Sequence, residues 1–462
     1  MNNTIEKIVT FANEHQPEFL DSLMEFLKIK TISSDSANKA EMQKGAEWLA
    51  ASLRKLGASD VQLLETGRNP IVYGQICQAG SQKPTILIYG HYDVQPPDPL
   101  EEWENDPFEP IIKDNLLFAR GSSDMKGQAM VVLAAIQSIQ AIDQMPVNLK
   151  FLLEGDEEVG SPCITAFLEE HKELFKSDFV LNLDAGMVAK DKPTIVYGLR
   201  GLAYFEISVS GPSHDLHSGL FGGVVYNPIH ALSELIAGMK DSSGKILLPG
   251  FYDDVQPLEE KERAALNALD NPDSYYIGQT GVNEVFGETG YTNVERIGAR
   301  PTLDVNGIWG GYSGEGPKTV IPANACAKLS MRLVPKQTSA RVKAQLIQYM
   351  QQNAPTQVSW EVRQLASDPA CVTDMDSFAT RCLTQSLEKV WGVQPVFKRE
   401  GGSIPIVAHM QNILGTESVM SGFSLPEDRV HSPNERFDLD LFKKGIETVI
   451  DFFYRISHES GK

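Results

Sequence analysis

Residues 85–93 read TILIYGHYD, an apolar run that ends, with no intervening loop, in an imidazole and a carboxylate. A nearly continuous apolar run of this length suits a strand covered on both faces, and such strands sit at the centre of a parallel sheet. Two further runs have the same form. LKFLLE (149–154) leads through Gly155 into Asp156, Glu157 and Glu158, and DFVLNL (178–183) leads straight into Asp184. In an open α/β sheet the site lies outside the carboxyl ends of the strands. Three strands would therefore deliver His91, Asp93, the acidic triplet and Asp184 to one rim.

The surrounding sequence supplies what such a sheet needs. IVYGQI (71–76) is a fourth buried strand, residues 4–28 and 39–56 carry apolar side chains at helical spacing, and 124–140 and 161–170 read as crossover helices. From about Tyr197 the pattern changes. YFEISVSG (204–211) and CAKLSMRLVP (326–335) alternate apolar with polar, as half-exposed antiparallel strands do, while 228–239 and 339–352 read as helices. Residues 241–318 are rich in Gly, Pro, Asp and Asn and suggest loops and short helices. A helix near 375–391 follows, and the α/β character returns in VFKREGGSIP (396–405), ESVMSG (417–422) and the final helix. The expected architecture is α/β, with a central mostly parallel sheet flanked by helices. A smaller α+β domain is inserted into it, an antiparallel sheet with helices on one face. The expected boundaries are 1–197 and 398–462 for the metal-binding catalytic domain and 198–397 for the insertion.

Composition narrows the partners. Hydrophobic residues make up 42% and charged residues 22% of 462, enough apolar material for packed cores rather than disorder. Lys and Arg number 41 against 61 Asp and Glu, a net charge of −20, which disfavours nucleic acid and anionic membrane surfaces as partners. The five cysteines are odd in number and widely spaced, with no C-x-x-C, so a reducing, cytoplasmic setting is expected. The opening MNNTIEKIVTFANEH lacks a basic segment followed by an apolar one, and no run approaches ~18 apolar residues, so neither an ordinary export signal nor a membrane span is expected.

Each rim residue has a plain explanation when taken alone. Asp124, in RGSSDMKG (120–127), would cap the following helix. Asp184 would form a turn, Glu157 and Glu158 would face solvent, and His91 would be a satisfied core histidine. Together these explanations are weaker. Acids and an imidazole gathered at one rim, with no Lys or Arg among the rim residues, repel one another unless a cation sits between them. A carboxylate and imidazole set without thiolate suits zinc, manganese or cobalt rather than calcium. Asp93, two residues from His91, could share the site or hold a neighbouring group by a hydrogen bond. H-E-x-x-H, G-x-S-x-G, Walker A and G-x-G-x-x-G patterns do not occur.

Eight strings in order complete the reading: GHYDVQP (90–96), RGSSDMKG (120–127), LEGDEEVGS (153–161), DLHSG (215–219), KTVIP (318–322), MRLVP (331–335), REGGSIP (399–405) and HSPNE (431–435). In this series the chain resembles the carnosine dipeptidase and cytosolic nonspecific dipeptidase branch of the co-catalytic zinc metallopeptidases, whose relatives include aminoacylase and succinyl-diaminopimelate desuccinylase. YGLRG (197–201) and GKILLPG (244–250) extend the likeness into the inserted region.

The resemblance implies two divalent ions per subunit, zinc first with manganese or cobalt possible. His91 and Asp184 would hold one and Glu158 and His431 the other, with Asp124 bridging and the Asp124–Met125 peptide cis. It implies Glu157 as general base, Asp93 as auxiliary acid and His217 as a donor to the oxyanion. It further implies that His217 and Thr319 reach the active site of a partner subunit, so that a homodimer is required. Arg332, Gly402 and Ser403 would bind the free carboxylate of a small peptide substrate. The activity so implied is dipeptide hydrolysis; an N-acyl amino acid amidohydrolase is the alternative within the same chemistry, and a metal-binding protein without turnover the alternative outside it. Asp156 adds a negative charge that could alter metal preference or pH optimum.

Overall fold

The run 85–93 forms the strand Thr85–His91 near the middle of a mixed sheet. The computed structural model describes residues 2–402 and 404–459, which form two units. The first comprises 1–197, 373–397 and 409–462, and the second 198–372 and 398–408. Within the first unit the strand order is Ser59–Leu64, Ile71–Ile76, Asn148–Glu154, Thr85–His91, Phe179–Asn182, Ser418–Ser421 and Thr194–Leu199, the last carrying the chain onward. Thr85–His91 runs parallel to both Asn148–Glu154 and Phe179–Asn182, and Ser418–Ser421 is parallel to Phe179–Asn182. Ile71–Ile76 pairs antiparallel with Asn148–Glu154, and Thr194–Leu199 antiparallel with Ser418–Ser421. The sheet is thus parallel at its centre, where the apolar runs are continuous, and antiparallel toward its sides.

The crossover helix is Lys126–Ile142. The N-cap position falls on Met125, and the Asp124 oxygens pair with His91 and His431 instead, so the capping explanation for Asp124 is set aside. The opening helical stretch is broken into Asn2–Glu14 and Gln16–Leu27. Pro17 lies in the first turn of the second helix, where its missing N–H is harmless, whereas inside a continuous helix it would remove a hydrogen bond and crowd the preceding turn. No described helix is long and apolar enough to cross a membrane.

The second unit contains a four-stranded antiparallel sheet ordered Thr302–Gly310, Asn324–Leu333, Gly201–Ser210, Ser359–Asp368. Side chains of Gly201–Ser210 alternate strictly between buried and half-buried. The buried face meets Ala231, Leu232 and Leu235 of the helix Pro228–Ala237 and Val342, Leu346 and Tyr349 of the helix Ser339–Asn353. Residues 241–318 do hold short helices, Glu260–Asn267, Asp273–Thr280 and Asn293–Gly298, but also the strand Thr302–Gly310. That strand lies at an edge, is mostly exposed, and slips register between Val305 and Gly307, which removes the regular alternation that would have marked it.

One boundary differs from expectation. Residues 373–397, assigned by sequence to the insertion, belong to the first unit, and 398–408 to the second. Cys382, Leu383 and Leu387 of the helix Phe378–Trp391 are buried in the same core as Phe452 and Phe453 of the C-terminal helix. Helical periodicity reports an apolar face but not which core receives it.

Ile88 is 4% exposed and lies in register with Phe151 on one side and Leu181 on the other. Ile88→Ala should lower unfolding free energy by about 2–5 kcal/mol, read from urea denaturation, while Ile112→Ala at a 46% exposed position should change it by less than about 0.5 kcal/mol. Equal effects at the two positions would contradict the burial argument.

Candidate metal centre

The strand Thr85–His91 ends at His91, whose side chain is buried. Its Nδ1 lies 3.0 Å from the Asp93 carbonyl, an acceptor, so Nδ1 carries the proton in the neutral ring and the Nε2 lone pair is left for a ligand. Nε2 lies 3.1 Å from Asp124 Oδ1 and 3.6 Å from Asp184 Oδ1. On the other side, His431 Nε2 lies 2.9 Å from Asp124 Oδ2 and 3.2 Å from Glu158 Oε2. Two groups of three result, His91 with Asp124 and Asp184, and Asp124 with Glu158 and His431, each with its ligand atoms within 4.8 Å of one another. They share Asp124, and the Asp124–Met125 peptide is cis.

Glu157 and Glu158 open the short 3₁₀ turn Glu157–Val159 after the strand Asn148–Glu154. Asp93, fully buried, accepts the amide of Glu157 through Oδ1 and that of Glu158 through Oδ2, at 3.3 and 3.0 Å. Of the two roles left open for Asp93, its carboxylate takes the second, supporting its neighbours. Gln95 Nε2 donates to Glu158 Oε2 at 2.8 Å. Gln95 stands in the quoted string GHYDVQP, but an amide following a strand carries no signal of its own. Asp156 belongs to neither ligand group. It accepts Arg68 Nε at 3.1 Å, the Asn69 amide at 3.1 Å and Asn69 Nδ2 at 2.8 Å, so its charge serves the 66–69 turn.

In the chain alone this is a strained set of charges. Burial pushes the Glu157 carboxyl well above the usual range, with Asp184, Glu158 and Asp124 adding to it against the opposing charge of His91. Asp184 is pushed up to about 6, by burial first, with His91 working the other way. His431 is drawn up to about 10 by its hydrogen bonds to Asp124 and Glu158. Protons here do what cations would do, reducing repulsion among acids removed from water. Two imidazoles and three carboxylates, with no thiolate, fit divalent ions of the zinc, manganese or cobalt type.

The remaining expected residues lie in the second unit. His217 ends the short strand Leu216–His217, paired with Val320–Ile321, and is exposed, as is Thr319. His217 Nδ1 accepts the Gly219 amide at 3.0 Å, and Nε2 lies 3.5 Å from Thr319 Oγ1. With Nδ1 occupied as an acceptor, the neutral ring bears its proton on Nε2 and presents a donor. Arg332 lies on Asn324–Leu333, between Thr302 and Leu202 in register. Gly402 is exposed, and a Cβ there would meet nothing within 4 Å, so nothing in the chain itself demands glycine at that position. Ser403 lies outside the described residues.

The chain is similar to known proteins over nearly its whole length. A Cys-Gly metallodipeptidase of Candida albicans is 32% identical over 467 aligned residues that cover 96% of this chain and 96% of its own. The Beta-Ala-His dipeptidase of Homo sapiens is 30% identical, covering 98% of this chain and 93% of its own. Among solved structures, the metallo-carboxypeptidase Sso-CP2 of Sulfolobus solfataricus superposes with a TM-score of 0.82 at 32% identity, covering 95% of this chain and 99% of that one. Residues 87–455, which hold every ligand candidate named above, match the model of peptidase family M20/M25/M40, and to that metallopeptidase family the chain belongs.

Proposed function

We propose that this chain is a metal-dependent dipeptidase that holds two divalent cations, zinc first with manganese or cobalt as alternatives. His91, Asp124 and Asp184 would hold one, and Asp124, Glu158 and His431 the other. The observation that carries the reading is Asp124, a single carboxylate whose Oδ1 turns to His91 and whose Oδ2 turns to His431. When bound, such ions supply Lewis acidity and a water that loses its proton near neutral pH. Glu157 takes a proton from the attacking water and returns it to the leaving amine nitrogen. Asp93 holds Glu157 in place through its amide. His217, with its Nε2 proton, stabilises the oxyanion.

The substrate is a dipeptide whose free carboxylate pairs with Arg332 and with donors from Gly402 and Ser403, since a guanidinium fork matches a carboxylate. The curated relatives act on Cys-Gly and Beta-Ala-His, both dipeptides. The working form is a homodimer in which His217 and Thr319 of one subunit serve the metal centre of the other; the exposure of both side chains supports this. A cytoplasmic location is supported by five cysteines that are all free.

Glu157→Gln should bind metal as the unaltered chain does yet lose about 10²–10⁴-fold in kcat, measured on Cys-Gly after chelation and readdition of zinc, manganese or cobalt. Turnover near the unaltered rate would remove Glu157 as base. His217→Ala should lose about 10²–10³-fold in kcat, with KM changed far less. Mixing the two inactive variants tests the dimer: exchange of subunits should restore activity, because one mixed site then has both Glu157 and a partner's intact histidine. No recovery after demonstrated exchange would place His217 in its own subunit's site. A panel of dipeptides and N-acetyl amino acids decides the substrate class, and faster turnover of the N-acetyl compounds would reverse the assignment to dipeptides.

A further inference from the structure

The two ligand groups are built differently. His91 and Asp184 follow directly from the ends of adjacent parallel strands, so the ladder fixes their positions. His431 stands on a loop with left-handed backbone at three non-glycine residues, Arg429 (φ 57°), His431 (φ 64°) and Asn434 (φ 62°). Its side chain is 52% exposed. Such a loop does not hold that shape by local preference, so something else must hold it.

The fastening is Glu435, four residues on and 1% exposed. Its Oε1 accepts the amides of Ser123 and Asp124 at 2.9 and 3.1 Å. Its Oε2 accepts the Gly121 amide at 3.0 Å and Arg120 Nη1 at 2.7 Å, and its backbone carbonyl accepts the Ala119 amide at 3.1 Å. One carboxylate thus gathers four donors from the loop that presents Asp124, and binds that loop to the one that presents His431. Two lesser ties act alongside it. Asp428 accepts Ser123 Oγ at 3.2 Å, and Asn434 exchanges hydrogen bonds with the backbone of Glu104 and Glu102, both at 2.8 Å.

We infer that Glu435 is a positioning residue for the cation held by Asp124, Glu158 and His431: its buried carboxylate sets the distance between Asp124 and His431. This rests on the two-cation reading above. The cation held by His91, Asp124 and Asp184 shares Asp124 but depends on the clamp much less, because strand pairing already places two of its three ligands. Removing the clamp therefore acts mainly on one of the two binding steps.

Glu435→Gln is nearly the same size but exchanges one acceptor oxygen for an NH₂. The charged Arg120 retains the oxygen, which turns the NH₂ toward the amides of Ser123 and Asp124, donor against donor. Glu435→Asp keeps the charge for Arg120 but is one methylene too short to reach all four donors. The metal-free full-length protein, titrated with cobalt(II) and followed by its visible absorption, reads the two steps separately. Both variants should bind the first equivalent as the unaltered protein does and the second about 10–100-fold more weakly. At limiting cobalt kcat falls with second-site occupancy, and at saturating cobalt kcat recovers with KM for Cys-Gly unchanged. A lower melting temperature with both cobalt steps unaltered would mean that Glu435 only supports the fold, and would overturn the inference. So would equal weakening of both steps, or a Glu435→Asp chain that does not fold. If the unaltered protein itself takes up fewer than two equivalents, the two-cation reading falls first.

Discussion

Repulsion among carboxylates removed from water is the constraint on which the site is built. Asp93, Glu157, Glu158 and Asp184 follow within a few residues of three strand ends, Asp124 joins them from the start of the helix Lys126–Ile142, and Asp93 is fully buried. A buried ammonium is close at hand but engaged elsewhere. Lys126, two residues from Asp124, donates to the carbonyls of Phe26 and Ile29 and lies over the Phe26 ring. Burial pushes it down to about 7 despite the neighbouring acids. The positive charge that the acids need must therefore come from protons on His91 and His431 or from metal ions. Two divalent ions meet that need more fully than two imidazolium protons.

The fold meets this constraint by fixing some groups rigidly and tying others together. Parallel pairing places His91 beside Glu154 and brings Asp184 two residues beyond the last paired position of its strand. Groups without such support are held by buried carboxylates that accept backbone amides. Asp93 holds the Glu157–Glu158 turn, and Glu435 holds the 121–124 loop. A carboxylate accepting several amides is a strong and directional tether. In both cases a buried acid tethers its neighbours chiefly through their backbone amides, with one side-chain partner besides, His91 for Asp93 and Arg120 for Glu435.

Much of this was legible in the sequence because the strands around the site are buried on both faces, and nearly continuous apolar runs such as 85–90 and 149–153, broken only by Lys150, are difficult to read otherwise. Of the candidate ligands, His91, Glu158 and Asp184 were legible because they follow those runs closely, whereas Asp124 stands at a helix start and His431 came only through the resemblance. Less could be read where the chain is exposed or irregular. The edge strand Thr302–Gly310 has no clean alternation, and the helix Phe378–Trp391 gave no indication of which core it joins. Glu435 was quoted within HSPNE without a role, since an acid that binds backbone amides across more than 300 residues of sequence leaves no periodic trace.

The acidic triplet shows most clearly where reading ends and geometry begins. Asp156, Glu157 and Glu158 are consecutive, and composition alone treats them as one negative patch. Asp156 stands just before the 3₁₀ turn with a different backbone conformation, and the turn itself advances about a third of a revolution per residue, so the three side chains leave in three directions. Asp156 turns to Arg68 and Asn69 and Glu158 to Gln95 and His431, while Glu157 lies within electrostatic reach of the acids of both ligand groups. The backbone thereby sends three adjacent carboxyl groups to different surroundings: Asp156 to the 66–69 turn, Glu158 to a candidate ligand group, and Glu157 to the position proposed above for the base. A longer α-helical turn at this point would bring other residues onto the same face. The tight turn, held by the two amides on Asp93, is thus what gives adjacent acids unlike surroundings.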